Sequence, residues 1–150
     1  MKVFPPGVPL ATILLGVLLD YLGPIDVGLG VSTPVRYWVG GIVICGSIFG
    51  LGLWAILLFR RAGESEKPWE PTQRIIEHGP YRFTRNPMYL QMILACLGFA
   101  ILLMNPWILL LTPICWWILQ QLVILPEEEY LERKFGEDYL VYKRRVRRWL

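Results

Sequence analysis

The sequence predicts an all-α integral membrane protein. It should have about four transmembrane helices, a helical hairpin formed by the third and fourth, and a C-terminal amphipathic cytoplasmic helix. Three observations lead there. Of 150 residues, 55% are hydrophobic, and the mean hydropathy is +0.45. The apolar residues gather into four runs, 8–22, 35–59, 88–104 and 107–125. Fourteen of the fifteen lysines and arginines fall in three segments that four spans would bring to one side, with Arg36 alone on the other.

Each element has its own justification. Met1-Lys2 followed by Val8 to Leu22 has the outline of a signal peptide, but no small-x-small cleavage site follows cleanly, so we read a short first span. Asp20, Gly23, Pro24, Asp26, Gly28 and Gly30 supply the turn after it. Val35 to Phe59 is long enough to cross with tilt. Gly46 and Gly50 form a G-x-x-x-G pair within it, expected to pack closely against another helix of the same chain rather than to self-associate. The arm 60–87 is polar and cannot cross. Met88 to Met104 and Trp107 to Leu125 are joined only by Asn105-Pro106, which makes them an antiparallel pair. Pro113 is expected to kink the second arm and open a gap beside it.

The tail, 127–150, is charged but periodic. Leu131, Phe135, Tyr139, Tyr142, Val146 and Trp149 recur at helical spacing, and Gly136 is the place for a bend. Arg144, Arg145, Arg147 and Arg148 are expected to meet anionic headgroups. The charge bias places Lys2, the arm and the tail in the cytoplasm, hence both termini there, with Asp20 and Asp26 opposite. The whole chain reads as one membrane domain.

Several chemistries are excluded. Cys45, Cys96 and Cys115 lie inside apolar runs, so there is neither a disulfide framework nor a Cys-x-x-Cys metal site, and a lone His78 argues against a histidine-built centre. A Ser/His/Asp set, a Walker loop, H-E-x-x-H and a G-x-G-x-x-G after a strand are all missing, which removes a soluble Rossmann-type cofactor fold. The polar residues instead form two clusters on one membrane face. One is Gly79-Pro80-Tyr81-Arg82-Phe83-Thr84-Arg85-Asn86-Pro87-Met88-Tyr89, framed by two rigid corners at Gly79-Pro80 and Asn86-Pro87. The other is Glu127-Glu128. On residue types alone, headgroup contacts and a binding site both stay open.

The ordered pair G-P-Y-R-F-T-R-N-P-M-Y, then E-E-x-x-L-x-x-x-F-G-x-x-Y-x-x-Y-x-x-x-V, resembles the isoprenylcysteine carboxyl methyltransferase family, whose pattern is largely shared by phospholipid N-methyltransferases. It spans about Glu77 to Trp149. The resemblance implies an integral-membrane enzyme using S-adenosylmethionine in a cytoplasmic pocket. His78, Gly79, Pro80, Tyr81, Arg85, Asn86, Pro87, Tyr89 and Leu90 would line that pocket. Glu127 and Glu128 would close it, with Tyr139, Tyr142 and Arg145 contributing from the tail. Asn86 stands where the family usually has histidine, so no imidazole role carries over, and Arg147 replaces a proline after the valine.

Methyl transfer is a displacement at a sulfonium carbon, governed by positioning and exclusion of water. Carboxylates and aromatic faces (Glu127, Glu128, Tyr81, Tyr89) favour that cation, and a guanidinium suits the cofactor's carboxylate. Arg85 and Glu128 are therefore the expected catalytic pair. Arg85 would orient a carboxylate, and Glu128 would face the sulfonium or an acceptor proton. The expected partners are the bilayer and a lipid or lipidated small-molecule acceptor, without metal or nucleic acid. The alternatives are methylation of a phospholipid headgroup amine, or a catalytically silent membrane binding or assembly module.

Overall fold

The computed structural model describes residues 4–26, 32–63 and 74–150. Expectations for Met1-Lys2, for Gly28 and Gly30 of the first turn, and for positions 64–73 of the arm lie outside the described residues. Within them the chain is all helical: α1 (Gly7–Leu22), α2 (Thr33–Arg61), α3 (Pro87–Leu103), α4 (Pro106–Phe135) and α5 (Glu137–Arg145). A 3-10 turn, Gly79–Arg82, precedes α3. By length and composition α2 and α4 can each cross a membrane, whereas α1 and α3 are shorter apolar helices of 16 and 17 residues.

Helix starts follow from the sequence. Pro87 and Pro106 open α3 and α4, where a missing N–H costs nothing. Asn105 caps α4 by accepting from the Ile108 N–H (2.9 Å), and such a cap is typically worth ~1 kcal/mol. Met104 ends α3 in the left-handed region (φ 50°), so the hairpin turns within two residues. The Asn105 amide also donates to the Gly16 carbonyl (3.2 Å), tying the hairpin tip to α1.

The α3–α4 hairpin is central, with α1 against α4 and α2 against α3. Tyr89, Cys96, Cys115, Leu119, Val123 and Ile124 form its core. Large apolar side chains such as Leu14, Trp38, Ile42, Phe49, Leu110 and Trp117 remain exposed, which matches helices solvated by lipid.

Three expectations are corrected here. Gly46 and Gly50 face open space; the close approaches belong to Gly40, where an added Cβ would lie 2.6 Å from Leu102 Cβ, and Gly98, where it would lie 2.6 Å from Ile44 Cγ1. Small residues matter at the α2–α3 seam, and the G-x-x-x-G spacing falls on the wrong face for it. α4 runs on through Pro113, with Thr112 and Cys115 buried on either side. The helix loosens later, in a π turn at Gln120–Ile124. The tail is not one helix: α4 passes through Pro126 to Phe135, Gly136 (φ 55°) breaks it as expected, and α5 ends at Arg145. The segment 146–150 then leaves the helix, with Val146 extended. We call 146–150 the strap.

The third correction concerns the tail cations. Lys143 pairs with Glu132, Arg144 with Glu137, Arg145 with Glu77 and Arg148 with Glu128, so most of the cluster is engaged by the chain's own carboxylates rather than left for headgroups.

Candidate active site

The arm presents its residues from a rigid turn. Gly79 has φ 60°, and an added Cβ there would lie 2.6 Å from Leu58 Cδ1, so only glycine lets the turn sit against α2. Pro80 and Tyr81 are buried behind it, and the Tyr81 ring packs against Phe59 with centroids 5.7 Å apart. The Tyr142 hydroxyl donates to the Tyr81 carbonyl (2.9 Å), which locks α5 to the arm. Tyr139, Tyr142 and Val146 form a second small core with Ile75, Leu131 and Phe135. The predicted tail stripe is thus buried as a unit, except that Trp149 turns to the hairpin, donating to Gln120 Oε1 (3.0 Å) and packing near Trp116.

The two polar clusters do meet. Arg85 Nη2 lies 3.3 Å from Glu128 Oε1, and both side chains are nearly enclosed, at 7% and 6% exposure. Glu128 also accepts from Arg148, with Nε on Oε1 (3.0 Å) and Nη2 on Oε2 (2.8 Å). The Tyr89 hydroxyl donates to Glu127 Oε2 (2.7 Å). Tyr139 stands beside the Arg85 guanidinium. Arg85 Nε, Arg85 Nη1 and the Tyr81 hydroxyl are buried and have no hydrogen-bond partner among the described residues. Buried donors are normally satisfied, so three of them together mark capacity for an acceptor supplied from outside the chain.

The strap closes the remaining side. Its carbonyls accept from the Arg85 N–H (to Arg147 O, 2.9 Å), from Thr84 Oγ1 and from Asn86 Nδ2 (both to Arg148 O, 3.0 Å). Asn86 therefore serves as a clamp. Beyond the Glu128–Arg148 pair lies an open cleft of about 330 Å³, lined also by Glu129, Glu132, Arg133 and Lys143.

Protonation follows from enclosure. Burial raises the Tyr81 phenol well above its ordinary value, and it pushes Tyr139 up to about 12, so both remain donors at neutral pH. Glu127 lies beyond the apolar run of α4, which ends at Leu125. Burial and the neighbouring Glu128 outweigh the Tyr89 hydrogen bond and raise its carboxyl to about 7.

Of the residues singled out in the sequence, Tyr81, Arg85, Asn86, Tyr89, Glu127, Glu128, Tyr139 and Tyr142 are brought together, on the walls built by Pro80 and Pro87. His78 is exposed, Arg145 is an exposed partner of Glu77, and Leu90 is half-buried in the first turn of α3. Thr84, Gln120, Arg148 and Trp149 were missed as site residues. Arg148 was visible only as one of four arginines clustered near the end of the tail, and nothing in the spacing distinguished it.

The helices and the site define a membrane-associated protein whose polar chemistry is gathered where apolar helices end. The chain matches the phospholipid methyltransferase family over residues 35–138, and it belongs to that family. The match covers α2, the arm, the hairpin and Glu127-Glu128, and it ends before the strap. Among relatives, an uncharacterized protein of Haemophilus influenzae is 43% identical over 63 residues, which is 42% of this chain and 100% of that protein. No solved structure matches the chain. The family implies methyltransferase activity, and it bears out the kinship with isoprenylcysteine carboxyl methyltransferases and their relatives.

Proposed function

We propose that the protein is an S-adenosylmethionine-dependent methyltransferase acting on a lipid-like, membrane-embedded acceptor, with both termini and the site on the cytoplasmic side of four spans. One observation carries this reading: Arg85 is almost fully enclosed against the Glu128 carboxylate and keeps two unpartnered donors. Those donors fit the carboxylate of the cofactor's methionine part, and the carboxylates and aromatic rings fit its cation.

When bound, the cofactor would supply a methyl group activated by a sulfonium. The chain's residues do the rest. The Arg85 guanidinium would hold the carboxylate, and the strap and α5 would exclude water. Glu128, whose oxygens both accept from Arg148 and which also pairs with Arg85, is a poor proton acceptor in this arrangement. Glu127, held by Tyr89 and titrating near neutrality, is placed to take a proton where the acceptor carries one. Arg85 thus keeps the role expected of it, whereas the proton-accepting role passes from Glu128 to its neighbour.

Calorimetry of the full chain in detergent with S-adenosylhomocysteine tests cofactor use, and Arg85→Ala should weaken binding by more than tenfold. Methyl-labelled S-adenosylmethionine added to membranes containing the protein should place label in a lipid fraction. Full binding by Arg85→Ala would remove the proposed site.

A further inference from the structure

We infer that Arg148 is a positioning residue. By engaging both oxygens of Glu128, it keeps the Arg85 guanidinium available for the carboxylate of the bound ligand. This rests on the cofactor reading above and deepens it.

The argument is one of shared charge. Glu128 meets two guanidiniums, and the contacts are unequal. Arg148 takes both carboxylate oxygens at 3.0 and 2.8 Å, in the paired geometry that makes arginine–carboxylate bonds strong. Arg85 pairs with Glu128 at the longer distance of 3.3 Å, Nη2 to Oε1. The negative charge is therefore balanced chiefly from the strap, and Arg85 stays undercompensated although enclosed. An enclosed cation in that state favours any anion that can reach it. Its spare Nε and Nη1 are the donors such an anion needs.

Arg148 is itself held in place. Its carbonyl is clamped by Thr84 and Asn86, the preceding carbonyl by the Arg85 N–H, and the following Trp149 by Gln120. The arm that carries Arg85 thus also fixes the residue that keeps Arg85 free. Without the Arg148 guanidinium, both oxygens of Glu128 would be open to Arg85, and Glu128 would compete with the incoming carboxylate. A strap that merely closed the site would affect all ligands alike.

The test separates these roles with two probes that differ only in the carboxylate, S-adenosylhomocysteine and its decarboxylated analogue. Both are titrated into the full chain in detergent. The wild type should bind the carboxylate-bearing probe more tightly, and binding of neither would overturn the cofactor reading together with this inference. Arg148→Gln should weaken S-adenosylhomocysteine about tenfold while changing the analogue less than about twofold, so the ratio of the two affinities collapses. Arg148→Lys keeps the charge but loses the fork, and the same ratio should fall by a smaller amount, about threefold. The ratio is unaffected by the fraction of folded protein, so the lysine variant carries the test if the glutamine variant is unstable. A ratio that stays at the wild-type value would overturn the positioning role while leaving the cofactor reading standing.

Discussion

Exchanging the charges of Arg85 and Glu128 (Arg85→Glu with Glu128→Arg) would be expected to restore a simple ion pair, but the structure predicts otherwise. Glu128 lies between two guanidiniums, so the exchange rebuilds the contact with position 85 and turns the contact with Arg148 from attraction to repulsion. At about 3 Å and an effective dielectric near 20, a unit-charge contact amounts to roughly 5 kcal/mol before desolvation and screening. Arg148 is 31% exposed, which reduces its net share to about 1–2 kcal/mol. Losing that attraction and gaining a comparable repulsion costs roughly 2–4 kcal/mol, or a Tm lower by roughly 4–16 °C. Adding Arg148→Glu returns every sign to its complement and should recover at least half of the loss. Binding of S-adenosylhomocysteine should not return, because position 85 would then present a carboxylate to a carboxylate. Thermal unfolding of the wild type, the double and the triple variant in one detergent decides the matter. Wild-type Tm in the double variant, or a triple variant no better than the double, would refute the three-charge arrangement.

Other expectations concern protonation, packing and topology. Glu127 has its carboxyl raised to about 7 from an ordinary value near 4.5, so the folded chain keeps a proton that the unfolded chain loses between those limits. Its contribution to stability is complete at the acid end and is lost as the pH rises through 7. The Tm of the wild type should accordingly fall relative to Glu127→Gln across that window, and a constant difference would sink the assignment. Gly40→Ala forces a Cβ to 2.8 Å from the Leu102 nitrogen and should cost about 1–3 kcal/mol. By contrast Gly50→Ala meets nothing within 4 Å and should be neutral or stabilising by up to about 1 kcal/mol; equal effects would contradict the α2–α3 seam. Single cysteines at positions 26 and 66, in a background lacking the exposed Cys45, should label from opposite sides of the membrane, and labelling from one side would overturn the four-span reading.

Local information was enough for much of this protein. Pro87 and Pro106 with their preceding asparagines announced two helix starts, and Asn105-Pro106 allowed no connection but a hairpin. Gly136 marked the break before α5, and the three-and-four spacing of Leu131, Phe135, Tyr139, Tyr142 and Val146 named a buried stripe before its partner was known. The ordered arm and glutamate motifs indicated which residues to collect, since a motif is a record of chemistry at fixed chain spacing.

What the sequence left open depended on contacts across long stretches of chain. Gly40 and Gly98 look no different from Gly46 and Gly50 until the helix faces are set, because packing depends on rotation about the helix axis as well as on spacing. Pro126 looked like a boundary because proline often ends a helix, yet it is tolerated in the helix that carries Glu127 and Glu128 onward from the hairpin. The four arginines at 144, 145, 147 and 148 were chemically equivalent on paper. Only the return of the strap across the arm, 62 residues away along the chain from Asn86 to Arg148, gave one of them Glu128. Residue type determined which charges this protein would hold beside its membrane helices, and the tertiary fold decided which of them cancel and which is left for a ligand.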